Sequence, residues 1–441
     1  MFIPLKNHYW AKKCGENYFV FHESHGEPFL LTPTNFSRLM NNDIDPPLYS
    51  ELSEMEFFPD DRVNISCRSK SETYLSNYSG PIVLDLVLSE ACNLSCHMCS
   101  HAQTTGQSNT RNNAKKFMTI DVVKAWVNYY VDHYIPAKKL NKYIFHYGAA
   151  EPLLNKKVFL ETLAYVHAMT TTSGIEVEQL INTNLTLLDD DILNALTKYS
   201  VKVSVGLDGL AAQNDFIRIT KNGEGTFYVI IDNIIKLRKQ GVSVGIALTI
   251  TQRNFNLLNP RNFLEAMKNI GISTVLVDSD FIHRIPFSSE AVTNILLEFY
   301  KLGEELGIEI LGSWRTPFAN LTTENDSEPK SFCTSLLGKN LTVTPSGNLT
   351  FCTYSGRPLS AYSSTNIQPA VSLFTQEMKQ LMSHRLPTLN QNCDGCALSG
   401  LCNGGCYLTY EVTGSKNTMC DIYLNATEKL IDHAYGNEML N

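Results

Sequence analysis

From Pro81 onward, short apolar runs alternate with longer stretches in which apolar residues recur every three or four positions. The short runs are typical of buried strands and the longer stretches of amphipathic helices. The predicted strands are 82–88, 143–147, 177–182, 201–207, 243–250 and 273–278. The predicted helices are 120–134, 156–170, 189–199, 226–240, 260–270 and 289–306. Six β–α units in succession predict an α/β fold, a partial (β/α)6 barrel of the TIM type, with its chemistry at the carboxyl ends of the strands.

The segment before this alternation has a different pattern. Residues 18–21 and 28–31 predict two strands around a short turn, and Thr34 is a candidate N-cap for a helix that ends at Met40. Residues 41–70 are rich in Asp, Ser and Pro and are typical of a connection. We therefore expect a small N-terminal α+β domain over residues 1–75 and a barrel over 76–315.

The last third of the chain has little periodic pattern. It contains several glycines and, from Cys333 onward, seven cysteines. This composition predicts a small domain, residues 316–441, that bound metal stabilises in place of a large apolar core. A chain of 441 residues is long enough for the two or three domains that this division implies.

Composition narrows the function classes. A formal charge of −8 argues against a nucleic-acid-binding surface, and the sequence has no apolar run long enough for a transmembrane helix. The N-terminal residues lack the apolar region of a secretory signal. We therefore expect a cytoplasmic protein, in which most of the 12 cysteines are metal ligands and Cys14 and Cys67 are buried free thiols.

Three closely spaced cysteines directly follow the first predicted barrel strand. They are Cys92, Cys96 and Cys99, in the run Ala-Cys-Asn-Leu-Ser-Cys-His-Met-Cys. Three thiolates with no fourth nearby can bind three irons of a 4Fe–4S cluster and leave the fourth iron open for another molecule. The alternative is a zinc or redox-thiol site whose fourth ligand lies elsewhere in the chain.

Polar residues follow the next three predicted strands. Glu151, in Gly-Ala-Ala-Glu-Pro, can receive an ammonium group, or it can begin a helix as a favourable negative charge. Asn182 and Asn184 can hydrogen-bond a ribose or cap the following helix. After the fourth strand, Arg218 suits bidentate capture of a carboxylate, or a surface ion pair.

The C-terminal cysteines form a second cluster: Cys333, Cys352, Cys393, Cys396, Cys402, Cys406 and Cys420. Four of them have spacings that a zinc ribbon can use, namely Cys393, Cys396, Cys402 and Cys406. Seven thiolates together fit two iron–sulfur clusters better than two closed zinc sites.

Taken together, these motifs resemble those of radical S-adenosylmethionine (SAM) enzymes of the SPASM subfamily, which modify peptides or proteins. The resemblance covers about residues 80–425 and makes residues 316–441 a SPASM domain. It implies SAM and three 4Fe–4S clusters as cofactors: a SAM-binding cluster on Cys92, Cys96 and Cys99, a first auxiliary cluster on Cys333, Cys352 and Cys406, and a second on Cys393, Cys396, Cys402 and Cys420. It implies SAM contacts from Ala150, Glu151, Asn182, Asn184, Gly206, Asp208 and Arg218.

The chain departs from the subfamily pattern at several positions. Met98 replaces an aromatic residue, and Gly206 replaces a serine near the ribose. Ala149 and Ala150 replace two glycines, so we expect the backbone there to avoid positive φ. The chain has no extra cysteine between Cys333 and Cys352, so the first auxiliary cluster is expected to have an open iron or a ligand other than cysteine.

The resemblance implies a precursor-peptide substrate with a leader. The N-terminal domain would bind this leader as an added strand, as winged-helix-like recognition domains do, or it would only cap the barrel. We expect crosslinking of an aromatic ring to a nearby β-carbon, with flavodoxin or ferredoxin as electron donor. The alternatives are an anaerobic sulfatase maturase, a thioether-forming maturase and a non-catalytic iron–sulfur scaffold. Thr353 stands where sulfatase maturases place an acidic base. Asp278 and Asp280 are candidate bases, or structural residues that cap the next loop.

Overall fold

The structure is a computed structural model of the chain. It describes residues 1–6, 8–23, 27–54, 57–58, 81–99, 116–135, 142–171, 176–283, 285–323, 331–355, 357–363, 366–384, 393–409 and 419–436. Cys67 and the expected domain boundary at residue 75 lie outside these ranges.

Strands and helices alternate through most of the described chain. The strands are β1 (Ile3–Pro4), β2 (Tyr9–Cys14), β3 (Asn17–His22), β4 (Phe29–Leu31), β5 (Val83–Leu86), β6 (Lys142–Tyr147), β7 (Glu176–Thr183), β8 (Lys202–Gly206), β9 (Val244–Ile250), β10 (Thr274–Ser279), β11 (Glu309–Leu311), β12 (Asn340–Val343) and β13 (Leu349–Thr350). The helices are α1 (Pro33–Met40), α2 (Pro46–Glu54), α3 (Ile120–His133), α4 (Lys156–Thr171), α5 (Asp190–Lys198), α6 (Ala211–Asn214), α7 (Phe227–Lys239), α8 (Pro260–Asn269), α9 (Ser289–Leu306), α10 (Thr316–Thr322), α11 (Gln368–His384), α12 (Ser399–Cys402) and α13 (Cys420–Tyr435).

All six predicted barrel strands are confirmed, and the sheet continues beyond them. Nine strands lie in the order β11-β10-β9-β8-β7-β6-β5-β12-β13. The sheet is parallel from β11 through β12, and only β13 is antiparallel to its neighbour. Since β11 and β13 form the two edges, the sheet is an open, partial barrel.

The C-terminal region shares the core of the barrel. Strand β12 pairs with β5 in register, Asn340 opposite Val83 and Val343 opposite Leu86. Leu341, Val343 and Leu430 belong to the same buried apolar cluster as the barrel strands. The described apolar residues of the tail therefore pack against the barrel, and stabilisation of this region by bound metal stays a prediction.

The N-terminal region forms a four-stranded antiparallel sheet in the order β1-β2-β3-β4. The predicted strands at 18–21 and 28–31 are confirmed, whereas β1, β2 and α2 were missed. Helix α2 lies inside the segment that the sequence indicated as a connection, because prolines are tolerated in a first helical turn. Helix α1 begins earlier than expected, with Thr32 and not Thr34 as its N-cap.

This N-terminal sheet packs on the last helix of the chain. The ammonium group of Lys12, in the middle of β2, pairs with Asp432 of α13. The thiol of Cys14 donates to the carbonyl oxygen of Ile431 at 3.7 Å, and Cys14 is buried, as the sequence predicted. The rings of Phe19 and Tyr435 lie 4.8 Å apart. In the described part of the chain, no helix is long and apolar enough to cross a membrane.

Candidate functional site

The loop that carries the first three cysteines follows β5 and is held in place by the chain around residue 218. The backbone N–H of Ser95 donates to the carbonyl oxygen of Ile219 at 2.8 Å, and that of His97 donates to Ile217 at 3.1 Å. These bonds run along the segment that contains Arg218. The fold therefore brings Arg218, more than a hundred residues away in the sequence, beside the cysteine loop.

The three thiols of this loop are neighbours. Burial raises the pKa of Cys92 and raises that of Cys96 to about 11, and the electrostatic partners of Cys96 include Cys92 and Cys99. Among the described residues, no three His, Cys, Asp or Glu side chains are grouped as ligands of one metal ion. A zinc ion needs its ligands about 2.3 Å away on one centre, whereas a 4Fe–4S cluster takes each thiolate on a separate iron. Each of these neighbouring thiols can therefore bind a separate iron of such a cluster.

Glu151 is fully buried directly beside this loop. Its backbone N–H donates to the carbonyl oxygen of Ala91 at 3.1 Å. Its carboxylate accepts hydrogen bonds from Leu153 N at 3.0 Å, Thr183 Oγ1 at 2.8 Å and Asn184 N at 2.8 Å. Burial raises the pKa of Glu151 to about 7, although these hydrogen bonds oppose the shift. Glu151 also caps the short 3₁₀ turn Pro152–Asn155. The alternative role for Glu151, a favourable negative charge at the start of a helix, therefore also agrees with the geometry.

The turn before Glu151 contradicts one expectation. Ala149 has φ = 90°, a conformation that glycine adopts without strain and that costs alanine on the order of 1–3 kcal/mol. The expectation that the alanine-substituted motif avoids positive φ is wrong. The pairing of β6 with its neighbours and the burial of Glu151 fix the path of this turn, so the backbone accepts the strain. Ala150 follows directly and is half-buried beside Glu151.

The two asparagines after the third barrel strand have different surroundings. Asn182 is half-buried and makes no side-chain hydrogen bond within the described part of the chain. Asn184 is buried, and its amide contacts Cys92, Asn93 and Thr186. Of these two asparagines, only Asn182 has an amide that no other described residue engages.

Arg218 and Asp208 form a buried ion pair, which excludes the surface-pair alternative for Arg218. Arg218 Nε lies 2.7 Å from Asp208 Oδ2, although the two atoms are not aligned for a hydrogen bond. Asp208 Oδ1 accepts from the backbone N–H of Thr249 at 2.8 Å. Burial opposes the charge on Arg218, but Asp208 and Cys96 together raise its pKa. Burial raises the pKa of Asp208, and Arg218 opposes that shift.

Asp278 and Asp280 are both engaged by local partners. Asp278 Oδ1 accepts from the backbone N–H of Ser313 at 2.7 Å and from its hydroxyl at 2.6 Å, and burial raises the pKa of Asp278 to about 6. Asp280 accepts from the backbone N–H groups of Ile282 and His283 at 2.9 and 3.0 Å and contacts the His283 ring. These are the loop-capping contacts of the structural alternative, and a role of either carboxylate as base stays a prediction.

The seven C-terminal cysteines lie in two groups. The electrostatic neighbours of Cys352 include Cys406 and Cys333. Those of Cys402 are Cys420, Cys393 and Cys396. The groups therefore have the same membership as the two auxiliary ligand sets that the resemblance implied, and burial raises the pKa of Cys352 and of Cys402.

Two further residues connect the barrel to the C-terminal region, and sequence reasoning did not single them out. Asp85, buried in β5, accepts from His146 Nδ1 at 2.7 Å, Asn340 Nδ2 at 2.9 Å and Thr342 Oγ1 at 2.9 Å. Tyr354 has Cys352, Cys99, Arg218 and Asp85 as electrostatic neighbours. The available signal for Asp85 was a charged residue inside an apolar strand; Tyr354 had no comparable signal.

Sequence comparison supports the chemistry of this loop. A sequence model described as "Radical SAM superfamily" matches residues 86–277, which begin in β5 and end in β10. Residues 86–277 are therefore a radical SAM domain. Members of this superfamily use SAM and a 4Fe–4S cluster, and the matched segment contains Cys92, Cys96 and Cys99 together with Glu151 and Arg218.

Individual relatives extend the match beyond the barrel. The radical SAM cyclopropyl synthase TigE of Paramaledivibacter caminithermalis is 21% identical over 96% of this chain and 94% of its own length. A serine-type anaerobic sulfatase-maturating enzyme of Klebsiella aerogenes is 21% identical over 76% of this chain and 81% of its own.

Solved structures share the fold. Native anSMEcpe with bound AdoMet has a TM-score of 0.64 at 16% identity, over 80% of this chain and 97% of that one. Streptococcus suis SuiB bound to the precursor peptide SuiA has a TM-score of 0.54 at 13% identity, over 95% of this chain and 98% of that one.

Proposed function

We propose that this radical SAM enzyme modifies a ribosomally made precursor peptide and joins two carbons of the peptide with loss of two hydrogens. One relationship supports this most. Tyr354 has both Cys99 of the barrel loop and Cys352 of the C-terminal group as electrostatic neighbours. Tyr354 therefore lies near both cysteine groups, and we infer that a peptide side chain reaches the space between them.

In this proposal, Cys92, Cys96 and Cys99 hold the SAM-binding cluster. When bound, the cluster and SAM would supply the 5′-deoxyadenosyl radical that removes one hydrogen atom from the substrate; the second hydrogen would leave as a proton, and its electron would pass to an auxiliary cluster. Glu151 binds the ammonium group of SAM, because its carboxylate is buried at the strand end and already lies among hydrogen-bond donors. Arg218, which Asp208 holds in place, binds the carboxylate of SAM through its Nη atoms.

The C-terminal groups would hold the two auxiliary clusters: Cys333, Cys352 and Cys406 the first, and Cys393, Cys396, Cys402 and Cys420 the second. With three cysteines, the first cluster would have an iron without a thiolate ligand. We propose a small electron-transfer protein, flavodoxin or ferredoxin, as the reductant. In this proposal the enzyme and its reductant operate in the cytoplasm, where thiols stay reduced.

The N-terminal sheet is the proposed recognition site for the leader of the peptide. Strand β4 is an edge of this sheet, and Leu30 in its centre is 36% exposed. An exposed edge strand offers backbone N–H and C=O groups that an extended peptide can pair with. The structure of SuiB, which was solved with its precursor peptide, matches nearly the whole of this chain. This coverage supports a role of the N-terminal sheet in binding the leader.

For the bond itself, we propose crosslinking of an aromatic ring to the β-carbon of a nearby residue. Ring closure within one residue is the second candidate, because the cyclopropyl synthase TigE matches this chain over almost its whole length. Formylglycine formation is less well supported. The sulfatase-maturating relatives match a smaller share of the chain, and Thr353 follows Cys352 where an acidic base would be needed.

The test is coexpression with a candidate precursor peptide, chosen from short open reading frames near the gene, followed by mass spectrometry of the peptide. We expect loss of two hydrogens per bond, and fragmentation then distinguishes a bond between two residues from a ring within one. A peptide of unchanged mass would contradict bond formation and indicate epimerisation. Anaerobically reconstituted enzyme that forms no 5′-deoxyadenosine from SAM would contradict the radical mechanism.

A further inference from the structure

Two negative groups of the proposed cofactor site approach each other where β5 and β7 end. The Cys92 thiol and the Glu151 carboxyl both lie within hydrogen-bond reach of Asn184, so their negative charges repel each other when both groups are ionised. Both must be charged in the proposed function, because a thiolate binds iron and a carboxylate binds an ammonium group. Something must therefore stabilise the two anions together.

Asn184 lies between them and donates to both. Its backbone N–H donates to Glu151 Oε2 at 2.8 Å, and its side-chain Nδ2 donates to Cys92 Sγ at 3.7 Å. The second contact is within the longer range of hydrogen bonds to sulfur. Asn184 is 7% exposed, so water does not replace these donors easily.

The orientation of this amide is fixed by its other bonds. Nδ2 also donates to Asn93 Oδ1 at 2.9 Å, and Oδ1 accepts from Thr186 N at 2.9 Å and from Thr186 Oγ1 at 2.7 Å. Asn93 Nδ2 in turn donates to Thr186 Oγ1 at 2.8 Å. With both oxygen lone pairs and both amide hydrogens engaged, the amide cannot turn outward to bind a ribose without breaking this network.

We propose that Asn184 is a positioning residue, which holds the Cys92 thiolate and the Glu151 carboxylate at a fixed separation and stabilises both charges, without touching SAM itself. This inference rests on the proposed function of Cys92 and Glu151. It replaces the direct ribose contact that the sequence suggested for Asn184. In metalloproteins, residues that orient a ligand and donate to it tune both metal affinity and electronic properties.

The test compares the isosteric variant Asn184→Asp with Asn184→Ala in anaerobically reconstituted protein. A residue needed only for packing would tolerate Asp, which has the same shape. A donor to a thiolate would not, because Asp adds a third negative charge beside Cys92 and Glu151. The matched control is Asn233→Asp, at another buried asparagine whose amide donates to the Leu185 carbonyl oxygen.

Three measurements give the answer: iron content, the electron paramagnetic resonance spectrum of the reduced protein with and without SAM, and the dissociation constant of SAM. We expect Asn184→Asp to lose the iron of one cluster together with the SAM-induced spectral change. We expect Asn184→Ala to keep the iron and to bind SAM at least tenfold more weakly, and Asn233→Asp to respond like the wild type.

An Asn184→Asp protein with wild-type iron content and wild-type response to SAM would overturn the inference. If Asn184→Asp does not fold, as judged by circular dichroism, Asn184→Ala decides: wild-type affinity for SAM in that variant also overturns it. A wild-type protein without any SAM-induced change would instead contradict the proposed function. The two failures are therefore distinguishable.

Discussion

The guanidinium group of Arg218 lies directly against Gly206. An ideal Cβ built on Gly206 would be 2.5 Å from Arg218 Nη1 and 2.7 Å from its Cζ. Glycine in place of the serine of related enzymes therefore has a physical reason. A side chain at residue 206 would occupy the space that the guanidinium group of Arg218 fills. The missing side chain leaves room for the arginine that pairs with Asp208.

Gly206→Ala should therefore displace Arg218 and leave the Asp208 carboxylate buried without its partner. We expect loss of about 1–3 kcal/mol of unfolding free energy and at least tenfold weaker SAM binding. Urea unfolding and equilibrium binding of SAM measure the two effects. Gly245→Ala is the matched control, because a Cβ at this neighbouring strand position meets an oxygen atom only at 3.6 Å. Equal SAM affinity in both variants would refute the steric argument.

Glu151 should give the cluster-free protein a pH-dependent stability. The pKa of its carboxyl is raised from 4.5 to about 7 by burial, so the native state binds the proton more tightly than the unfolded state. The contribution of this group to stability is complete below pH 4.5 and is lost as the pH rises through about 7. The loss amounts to about 3 kcal/mol if no other group compensates.

Replacement of Glu151 by Gln removes this titration, so the variant should show a smaller change in unfolding free energy between pH 5 and pH 8 (on the order of 3 kcal/mol smaller). Chemical unfolding at both pH values measures the difference. Glu161→Gln on the exposed face of α4 should leave the pH dependence unchanged. Identical slopes for wild type and Glu151→Gln would contradict the raised pKa.

Among the polar residues that connect the barrel to the C-terminal region, Asp85 should cause the largest loss of unfolding free energy when it is replaced. Asp85→Ala leaves His146, Asn340 and Thr342 without their common acceptor in a buried place, at a cost of about 3–5 kcal/mol. Asp85→Asn, which keeps the shape and part of the hydrogen bonding, should lose less. Thermal and urea unfolding compare them with Asp132→Ala, an exposed position on α3, where a change within about 0.5 kcal/mol is expected.

The iron content of cysteine variants should show which cysteine group binds which cluster. The wild type should contain about twelve irons per chain, four for each cluster. Simultaneous replacement of Cys92, Cys96 and Cys99 by alanine should remove about four of them and abolish formation of 5′-deoxyadenosine. Replacement of Cys393 and Cys396 should remove iron and leave the SAM-induced spectral change in place. Formation of 5′-deoxyadenosine by the triple variant would refute the assignment of the first site.

Much of the barrel was determined by local sequence patterns. Apolar runs such as Val83–Leu86 form strands wherever they are buried on both sides, and the longer periodic stretches bury one face against them. The spacing of Cys92, Cys96 and Cys99 is equally local, so it identified the chemistry of the loop before any fold was known. The superfamily match to residues 86–277 confirms the chemistry of this part of the chain.

Tertiary structure decided the features that depend on residues far apart in the sequence. Strand β2 was not predicted from the sequence, and Lys12 in its middle is paired with Asp432, at the other end of the chain. Ala149 takes a positive φ that no local preference of alanine allows, because the sheet on both sides fixes the path of the turn.

The sequence by itself therefore determined the order of strands and helices in the barrel and indicated the type of chemistry, because both follow from residues close together along the chain. Only the folded chain decided that Asn184 contacts Cys92 and not open space, that Arg218 occupies the volume beside Gly206, and that β12 extends the barrel. These outcomes follow from sterics and from the demand of buried polar groups for partners, and such partners are selected by proximity in space.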